Sequence, residues 1–357
     1  MPGDNVADDS TPFITVIVPV RNEARCIANT ISRLSEQDYP PDRFEIIVAD
    51  GRSTDDTAAI VQGLTCRVPN LRLVDNPKRL SSAARNLGAQ LGKGDVLVVV
   101  DGHCDIKDTQ YLRKLASAFE RSDADSIGRP QPLEIHHATP LQEAVAQARR
   151  SWFGHNPNSH IYSDREGFVK ASSVAVAYRR RVFEAIGYFD ESFDACEDVE
   201  FNHRLDSAGL SCFFTPDIAV HYHPRNSLKG LFYQMGRYGR GRMRLAAKHP
   251  GALSLPALAP MCFFAGMGLL AIAAIFLPAF GWAVLAGLLC YTAAISAASL
   301  PALPRLSTWR SRCLLPLVFL TIHAGFAWGT LTEVVRISGE KVRVSIRGRV
   351  QNDVRTN

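Results

Sequence analysis

The sequence lacks the paired cysteines that mark zinc sites and disulfide frameworks. Its eight cysteines are scattered singly along 357 residues, and no two of them stand in a Cys-x-x-Cys pair. Such pairs are the usual signal of a structural zinc site or a disulfide-stapled secreted domain, so their lack argues against both. We therefore expect reduced thiols in a cytoplasmic compartment.

The first ten residues have neither the basic region nor the apolar region of a signal peptide. They contain Asp4, Asp8 and Asp9 instead, and no internal repeat or low-complexity tract follows them. This composition predicts a disordered N-terminus over residues 1–10 and no secretory signal. We expect the domain that follows to remain in the cytoplasm.

Charge is almost missing from a late region, residues 251–335, apart from the stretch Arg305 to Arg312 and Glu333. Three apolar segments in it are each close to the ~20 residues that cross a bilayer core. They are Leu253–Leu277, Trp282–Leu300 and Cys313–Val335. The region therefore predicts two to three transmembrane helices.

The membrane topology of this region stays open on the sequence alone. The arginines near 305–312 favour a cytoplasmic loop, yet three crossings would place the basic tail, residues 336–357, on the other side. Either the tail departs from the usual charge bias, or one segment is re-entrant or interfacial. The third segment, which contains His323, is the best candidate for that exception.

Positive charge is local rather than general. The formal net charge is only +5, but residues 225–248 contain seven lysines and arginines and no acid, mixed with aromatic and aliphatic residues. This pattern predicts an amphipathic helix over Leu228–Ala247 that lies on a membrane surface, within an interfacial region at 225–250. Anionic lipid headgroups or a diphosphate explain the charge better than nucleic acid does, and no nucleic-acid partner is expected.

Residues 11–224 alternate between strand and helix patterns, which predicts an α/β fold with a mostly parallel sheet. In such a sheet the loops after the strands gather at one edge, so Asp50 and Asp101 should share that edge. The predicted strands are Phe13–Val18, Phe44–Ala49, Leu71–Val74, Val96–Val100 and a region over Gly167–Tyr178; the predicted helices are Asn29–Gln37, Asp55–Gln62, Ser81–Leu91, Arg180–Ile186 and Asp198–Ala208.

Acidic residues at three places are candidates for chemistry. Asp101 and His103 follow the apolar run at Val96 and can both point at one divalent cation, although Asp-Gly is also common in an ordinary turn. Glu197 and Asp198 can supply a general base, or they can simply stabilise the start of a helix. Asp50, before Gly-Arg-Ser-Thr-Asp, has a helix-capping loop as its alternative.

Basic and histidine residues form the other candidates. Arg237, Arg240 and Arg242 stand among glycines and can clamp a diphosphate, or they can form a collar that faces lipid headgroups. His221 and His223 resemble a metal pair only superficially, because no third ligand is evident nearby.

Read together, the motifs resemble the family 2 glycosyltransferases, which have the nucleotide-sugar-binding GT-A fold. The resemblance covers roughly Thr15 to Arg244 and rests on five short motifs in the family's order. They are Val18-Pro-Val-Arg-Asn-Glu23, Asp50-Gly-Arg-Ser-Thr-Asp55, Arg85-Asn86-Leu-Gly88, Asp101-Gly-His103 and Glu197-Asp198. Each motif is weak alone, but the ordered set is specific.

The resemblance implies a role for each matching residue. Asp50 would recognise the nucleotide base, Asp101 and His103 would hold Mg²⁺ or Mn²⁺ against the diphosphate, Asp198 would be the catalytic base, and Glu197 would support the acceptor pocket. The nucleotide-sugar site would comprise Pro19, Arg21, Glu23, Asp50, Arg85, Asn86, Asp101, Arg240 and Arg242. Gly51 and His103 depart from the family pattern, which usually has Asp at both positions, so the metal preference is open.

The motifs also imply a subfamily. Gln234-Met-Gly-Arg237-Tyr238 stands where the processive synthases have Gln-x-x-Arg-Trp, which favours addition of a single sugar. With the late membrane helices, the chain is similar to exopolysaccharide glucosyltransferases of the succinoglycan type. The resemblance thus implies an inverting hexosyltransferase, multi-pass in a bacterial inner membrane with its catalytic domain in the cytoplasm, that moves a sugar from a UDP-sugar to a polyprenyl-diphosphate-linked sugar.

Two alternatives remain from the sequence. One is a polyprenyl-phosphate glycosyl synthase, whose acceptor phosphate is already ionised and needs less help from Asp198. The other is a non-catalytic, membrane-tethered scaffold that binds nucleotide sugars.

Overall fold

The computed structural model describes residues 11–156, 159–252 and 255–356. Within them the chain forms two compact units. The first contains residues 11–136 and 159–224, and the second contains residues 137–156 together with those from Arg225 onward.

The first unit is built on an eight-stranded sheet with the strand order β3-β2-β1-β4-β8-β6-β9-β7. Strands β1 to β4 are mutually parallel, β8 runs antiparallel to β4 and β6, and β6 is parallel to β9. The strands are β1 Ile14–Val20, β2 Phe44–Asp50, β3 Leu71–Asp75, β4 Val96–Val99, β6 Ser126–Gly128, β7 Gly167–Phe168, β8 Ala175–Arg179 and β9 Cys212–Phe214; a separate antiparallel pair joins β5 Cys104–Asp105 to β10 His221–Tyr222. The predicted mostly parallel α/β fold is confirmed.

Helices flank this sheet, and their apolar faces close the core against it. Strands β1 and β2 are buried on nearly every residue, as expected for parallel strands that are covered on both faces. The helices of this unit are α1 Ile27–Ser35, α2 Thr57–Thr65, α3 Ser81–Leu91, α4 Tyr111–Ser122, α6 Arg180–Ile186 and α7 Glu197–Ser207. The prediction for Ser81–Leu91 and that for Arg180–Ile186 match the observed bounds.

The bounds of the first four predicted strands lie within two residues of the observed ones, and two of the five strand predictions differ for a clear physical reason. The first strand does not end before Pro19 but continues to Val20, because Pro19 lies beyond the last β1–β4 pair, Ile17 with Val99, and so interrupts no pairing on that side. The region over Gly167–Tyr178 is not one strand. The carboxylate of Asp206 accepts hydrogen bonds from the backbone amides of residues 171 and 172, and the chain turns there between β7 and β8.

The second unit is helical. Its helices are α5 Pro140–Arg150, α8 Leu228–Lys248, α9 Leu255–Phe276, α10 Ala279–Ser299 and α11 Trp309–Thr356. Residues 137–156 group with this unit, whereas the sequence placed all of 11–224 in one domain. The physical reason is the apolar face of α5, where Ala144, Val145 and Ala148 are buried with Leu231 of α8 and Phe319 of α11.

Three helical stretches are long and apolar enough to cross a membrane: Ala257–Phe276, Ala279–Arg305 and Trp309–Glu340. The third differs from the others because 56% of its apolar window is buried inside the protein. Its His323 bridges Tyr291 of α10 and the backbone oxygen of Phe153. A re-entrant segment would reverse direction, whereas α11 is one continuous helix. Whether this helix crosses the membrane or lies at its surface stays a prediction. The predicted basic tail extends α11 as far as Thr356.

Glycines allow α8 and α11 to cross at close range. A Cβ atom on Gly239 would overlap the backbone oxygen of Phe326, and one on Gly329 would overlap the backbone oxygen of Gly236. A Cβ atom on Gly325 would lie 2.6 Å from the backbone oxygen of Phe232. Gly236 and Gly239, which stand beside the arginines of α8, therefore have a packing role.

We expect Gly329→Ala to destabilise the second unit, because the new methyl group meets rigid backbone rather than a movable side chain. Overpacking of this kind costs about 1–3 kcal/mol. Thermal unfolding in detergent should show a lower midpoint for this variant. Gly266→Ala in α9 is the matched control, since nothing lies within 4 Å of its added methyl group; equal midpoints for the two variants would contradict the close-crossing argument.

Candidate active site

The carboxyl ends of three neighbouring strands place acidic residues along one edge of the sheet. Asp50 is the last residue of β2 and is paired in register with Val20, the last residue of β1. Asp101 follows β4, which pairs with β1 on its other side. Because ligands of open α/β sheets bind outside this edge, these residues stand where a ligand is expected.

The loops after β1 and β2 are tied together by short polar side chains. Both carboxylate oxygens of Asp50 accept from the backbone amide of Ser53, and one also accepts the Ser53 hydroxyl at 2.5 Å. The backbone amide of Asn22 donates to Ser53 Oγ at 2.8 Å, and the side-chain oxygen Oδ1 of Asn22 accepts from the backbone amide of Thr54 at 2.7 Å. Asp50 thus shapes the loop that follows β2 and does not cap α2, which begins at Thr57 and has Asp56 as its N-cap residue. The contact of Asp50 with a nucleotide base stays a prediction.

Arg85 is the cation around which the acidic residues meet. It lies on α3 with only 9% of its surface exposed, and its Nη2 atom is 3.4 Å from Oε1 of Glu197. Burial disfavours its charged form, but the negative charges of Glu197, Asp198 and Asp101 outweigh this and raise its pKa. Residues from the third, fourth and fifth sequence motifs therefore share one electrostatic centre.

Asp101 is held ionised at this centre. Burial alone would raise its pKa, but the positive charges of Arg85 and His103 and a hydrogen bond from Tyr222 lower it below the ordinary value. The Tyr222 hydroxyl donates to Asp101 Oδ2 at 2.9 Å. Burial and the Asp101 charge raise the pKa of Tyr222 well above its ordinary value, so this tyrosine remains a neutral donor.

The two carboxylates at the start of α7 have different surroundings. The Glu197 side chain is buried and paired with Arg85, whereas Asp198 is partly exposed and accepts a hydrogen bond from the adjacent Val199 amide. A general base must lie within hydrogen-bonding reach of the proton that it removes from the substrate. Asp198 is the more exposed of the two carboxylates and is therefore more accessible to a substrate than Glu197. Both carboxylates also stabilise the start of α7.

His103 and Glu23 meet beside Asp101. His103 Nδ1 lies 3.1 Å from Glu23 Oε1, and the His103 ring packs edge-on against that of Tyr222 with centroids 5.9 Å apart. Among the described residues, no three His, Cys, Asp or Glu side chains are arranged to hold a metal ion. One or two protein ligands, with substrate phosphates completing the shell, are enough to bind Mg²⁺. The chemistry of Asp101 and His103 is compatible with such a site, and their role as metal ligands stays a prediction.

Other predicted site residues lie elsewhere or have structural partners. The Asn86 side chain donates to the Phe189 backbone oxygen and accepts from the Phe189 amide, which ties α3 to the loop before α7. Pro19 is half-buried in β1, and Arg21 is exposed just after it. The remaining two predicted residues, Arg240 and Arg242, are on α8 in the second unit.

Sequence reasoning missed two residues of this site. Tyr222 lies between His221 and His223, and the sequence singled out only those two histidines; its partner in the β5–β10 pair is Cys104, close to Asp101. Arg129 follows β6 and is fully buried, with Nη2 3.4 Å from the Val99 backbone oxygen, and its charge helps to lower the pKa of Asp101. The sequence feature that could have indicated Arg129 is its position directly after the short strand β6, which resembles the position of Asp101 after β4.

Comparisons with known proteins agree with this geometry. The model of the family described as "Glycosyl transferase family 2" matches residues 15–186. The chain is 34% identical over 255 residues to the succinoglycan biosynthesis protein ExoA of Rhizobium meliloti, covering 70% of this chain and 76% of that protein. It is 28% identical over 235 residues to the glycosyltransferase AglE of Haloferax volcanii, covering 66% and 74%.

A third relative and one solved structure are also informative. The dolichyl N-acetyl-α-D-glucosaminyl phosphate 3-β-D-2,3-diacetamido-2,3-dideoxy-β-D-glucuronosyltransferase of Methanococcus voltae is 26% identical over 235 residues, covering 64% of this chain and 73% of that protein. The mannosyltransferase PcManGT of Pyrobaculum calidifontis, solved in complex with GDP-Man and Mn²⁺, superposes with a TM-score of 0.56 at 24% identity, covering 92% of this chain and 90% of that one. At this identity the structural likeness concerns the fold.

Proposed function

Because this chain belongs to glycosyltransferase family 2 and has the GT-A fold, we propose that it is an inverting hexosyltransferase in exopolysaccharide or cell-surface glycan assembly. Its donor would be a UDP-sugar and its acceptor a sugar on a polyprenyl diphosphate at the cytoplasmic face of the membrane. The observation that supports this most directly is the meeting of Asp101, Glu197 and Asp198 around Arg85. A scaffold without activity would have no need of this arrangement.

In the proposed reaction, the acceptor hydroxyl attacks the anomeric carbon of the donor sugar and UDP departs from the opposite face. Asp198 takes the proton of the attacking hydroxyl, because it is the partly exposed carboxylate of the pair. Such general-base help is worth about 10²- to 10⁴-fold. Arg85 holds Glu197 in place and balances the negative charge of the site.

A divalent cation bound by Asp101 and His103 would neutralise charge on the departing diphosphate. Tyr222 would fix the orientation of the Asp101 carboxylate through its hydrogen bond to Oδ2. Glu23, with Oε1 3.1 Å from His103 Nδ1, would orient the His103 ring. A positioned ligand set of this kind lowers the cost of ordering the site when the donor binds.

The acceptor class is proposed from relatives. One is named for succinoglycan biosynthesis and another for transfer to a dolichyl-phosphate-linked sugar. The second name favours a sugar acceptor on a lipid carrier over bare polyprenyl phosphate, and the first is consistent with polysaccharide assembly. The apolar helices of the second unit suit such a carrier.

The proposal is tested with purified membranes containing the full chain and radiolabelled UDP-sugars. Polyprenyl-diphosphate glucose, polyprenyl phosphate and detergent alone are supplied in parallel. We expect label in the lipid fraction only with the first acceptor, and a product of inverted anomeric configuration by NMR. Transfer to polyprenyl phosphate would instead support the synthase alternative, and no transfer or UDP release with any UDP-sugar would support the scaffold.

Asp101→Ala should abolish the metal-dependent part of UDP binding, because it removes the carboxylate proposed to hold the ion. Calorimetry with and without Mn²⁺ is the measurement. In the presence of Mn²⁺, we expect the dissociation constant for UDP to be at least about tenfold larger for the variant than for the wild type. Asp38→Ala is the matched control, since Asp38 is exposed and pairs with Arg113 away from the strand ends. Unchanged Mn²⁺-dependent binding in Asp101→Ala would contradict the assignment.

A further inference from the structure

The second unit contains a basic cluster that the proposed mechanism does not use. Arg149 lies at the end of α5, His155 follows five residues after α5 ends, and Arg242 lies on α8. All three residues are partly buried, and the charges of both arginines lower the pKa of His155. We call this set the 149/155/242 cluster.

The geometry of the cluster is fixed by packing rather than by ion pairs. The Arg149 guanidinium lies over the Tyr238 ring, 5.8 Å from its centroid, which is a cation–π arrangement. Tyr238 and Arg242 are four residues apart on α8 and therefore share a face of that helix. The apolar face of α5, including Ala148 next to Arg149, is buried in the same core as Leu231 of α8.

The two arginines of the cluster, Arg149 and Arg242, have no acidic partner among the described residues. No ion pair of Arg149 or Arg242 occurs within them, and the buried Nε atom of Arg149 has no hydrogen-bond partner there. Arg244, two residues further along α8, shows the contrast, because its Nε atom is paired with Oε1 of Glu333 at 2.8 Å. Two partly buried guanidinium charges that both act on one histidine, without an acid as partner, are unfavourable unless an anion binds nearby.

The histidine is in the state that suits such a site. Burial, and then the charges of Arg149 and Arg242, lower the pKa of His155 to about 3, so its ring is neutral at physiological pH. A neutral imidazole adds no further repulsion to the two arginines. Guanidinium forks match the oxygens of a phosphate group.

The position of the cluster along the chain points to a lipid phosphate. Arg242 lies within two turns of the end of α8 at Lys248, and the first membrane-candidate helix, α9, begins shortly afterwards at Leu255. The phosphate of a lipid carrier lies where its apolar chain enters the membrane. A group held by these residues would therefore stand close to the start of a membrane-candidate helix.

We propose that Arg149, His155 and Arg242 bind the phosphate of the lipid carrier that bears the acceptor sugar. This rests on the proposed function, and it gives Arg242 a different phosphate from the donor diphosphate predicted from sequence. Arg149 and His155 belong to the segment that the sequence had placed in the catalytic domain. A role in binding the lipid carrier would be consistent with the grouping of this segment with the helices that could cross a membrane.

The test measures direct binding to the full chain in detergent, without turnover. Polyprenyl diphosphate, polyprenol without phosphate, UDP, and nanodiscs of phosphatidylglycerol are the four probes. Arg149→Gln and Arg242→Gln should each weaken polyprenyl diphosphate binding roughly 10- to 100-fold, as expected for lost charge-assisted hydrogen bonds, and leave UDP binding unchanged. Arg149→Lys, which keeps the charge but loses the fork, should give an intermediate loss.

Arg150→Gln is the matched control, because Arg150 is exposed on the neighbouring position of α5. Thermal unfolding confirms that each variant is folded. Equal weakening in Arg150→Gln, unchanged polyprenyl diphosphate binding, or loss of UDP binding instead would each overturn the proposal. So would phosphatidylglycerol binding that shows the same losses, since the cluster would then serve ordinary headgroups.

The same design separates this proposal from the proposed function. Selective loss of polyprenyl diphosphate binding in Arg149→Gln supports the phosphate site even if no UDP-sugar is ever transferred. Conversely, transfer to a lipid-linked sugar with unchanged acceptor KM in Arg149→Gln and Arg242→Gln supports the enzyme and overturns the phosphate site.

Discussion

Asp198→Asn should lower turnover by about 10²- to 10⁴-fold while UDP binding remains nearly intact. The amide has the same shape as the carboxylate but cannot accept the proton of an attacking hydroxyl. Asp198 is partly exposed at the first turn of α7, and its negative charge is near Arg85, so the substitution changes chemistry more than packing. Single-turnover transfer of labelled sugar and UDP calorimetry measure the two effects separately.

Asp206→Asn is the matched control on the same helix. Asp206 accepts hydrogen bonds from the amides of Ala171 and Ser172, at 2.7 and 3.1 Å, and has no place in the proposed reaction. We expect some loss of stability in this variant but nearly normal turnover. Near-normal turnover in Asp198→Asn would refute the assignment of Asp198 as the base. If this variant lost turnover only with bare polyprenyl phosphate as acceptor, that result would contradict a hydroxyl group as the nucleophile.

The strands that position the site were readable from the sequence because parallel strands have a strong local signal. Continuous β-branched and aliphatic runs in β1, β2 and β4 indicate buried strands. The polar residues that follow these strands then lie at the carboxyl edge of the sheet. This is why Asp50 and Asp101 were found at the correct ends. Their assignment needed only local pattern and the rule for parallel crossovers.

What the sequence could not show depends on contacts between distant segments. Tyr222 reaches Asp101 only because β10 pairs with β5, two strands of two residues each with no periodic pattern to detect. The α5 segment groups with the membrane-candidate helices through three small apolar residues, a surface as suitable for a sheet as for helices. Likewise, the glycines of α8 looked like partners of the arginines, and their contact with α11 appears only in three dimensions.

Asn86 illustrates how a site motif can contain a structural residue. Its neighbour Arg85 faces the acidic centre, whereas both ends of the Asn86 amide bond to the backbone of Phe189. Phe189 lies in the loop that leads to α7, so Asn86 helps to place Glu197 and Asp198 without needing to touch the donor. Adjacent residues of one motif thus position the two sides of the same centre.

Arg85→Met should strongly destabilise the first unit. Removing the cation leaves the Glu197 carboxylate, only 6% exposed, without the partner that compensates its burial. Breaking a buried ion pair by deleting one partner costs about 3–5 kcal/mol. Denaturant unfolding at pH 7 measures this loss, and sugar transfer should be lost as well, because Asp101 and Asp198 depend on the same charge.

The pH dependence of that loss follows from the lowered pKa of Asp101. Burial opposes its ionisation, and Arg85 is the largest contribution that lowers its pKa. A group with a lowered pKa stabilises the fold above its unfolded value, about 3.9 for aspartate, and this stabilisation disappears as pH falls through the folded value. The gap in unfolding free energy between wild type and Arg85→Met should therefore be widest near neutral pH and narrow below about pH 4.

Arg180→Met separates this electrostatic effect from the loss of a buried arginine as such. Arg180 donates to the backbone oxygens of Gly94, Ala89 and Gly92 at 2.7 to 3.2 Å and faces no acid in those bonds. Its removal should destabilise the fold by an amount that does not change with pH, and Arg85→Lys should recover part of the stability lost in Arg85→Met. If Arg85→Met and Arg180→Met instead gave parallel profiles, Arg85 would be a packing residue, and the acidic residues around it would have to be held together by other means.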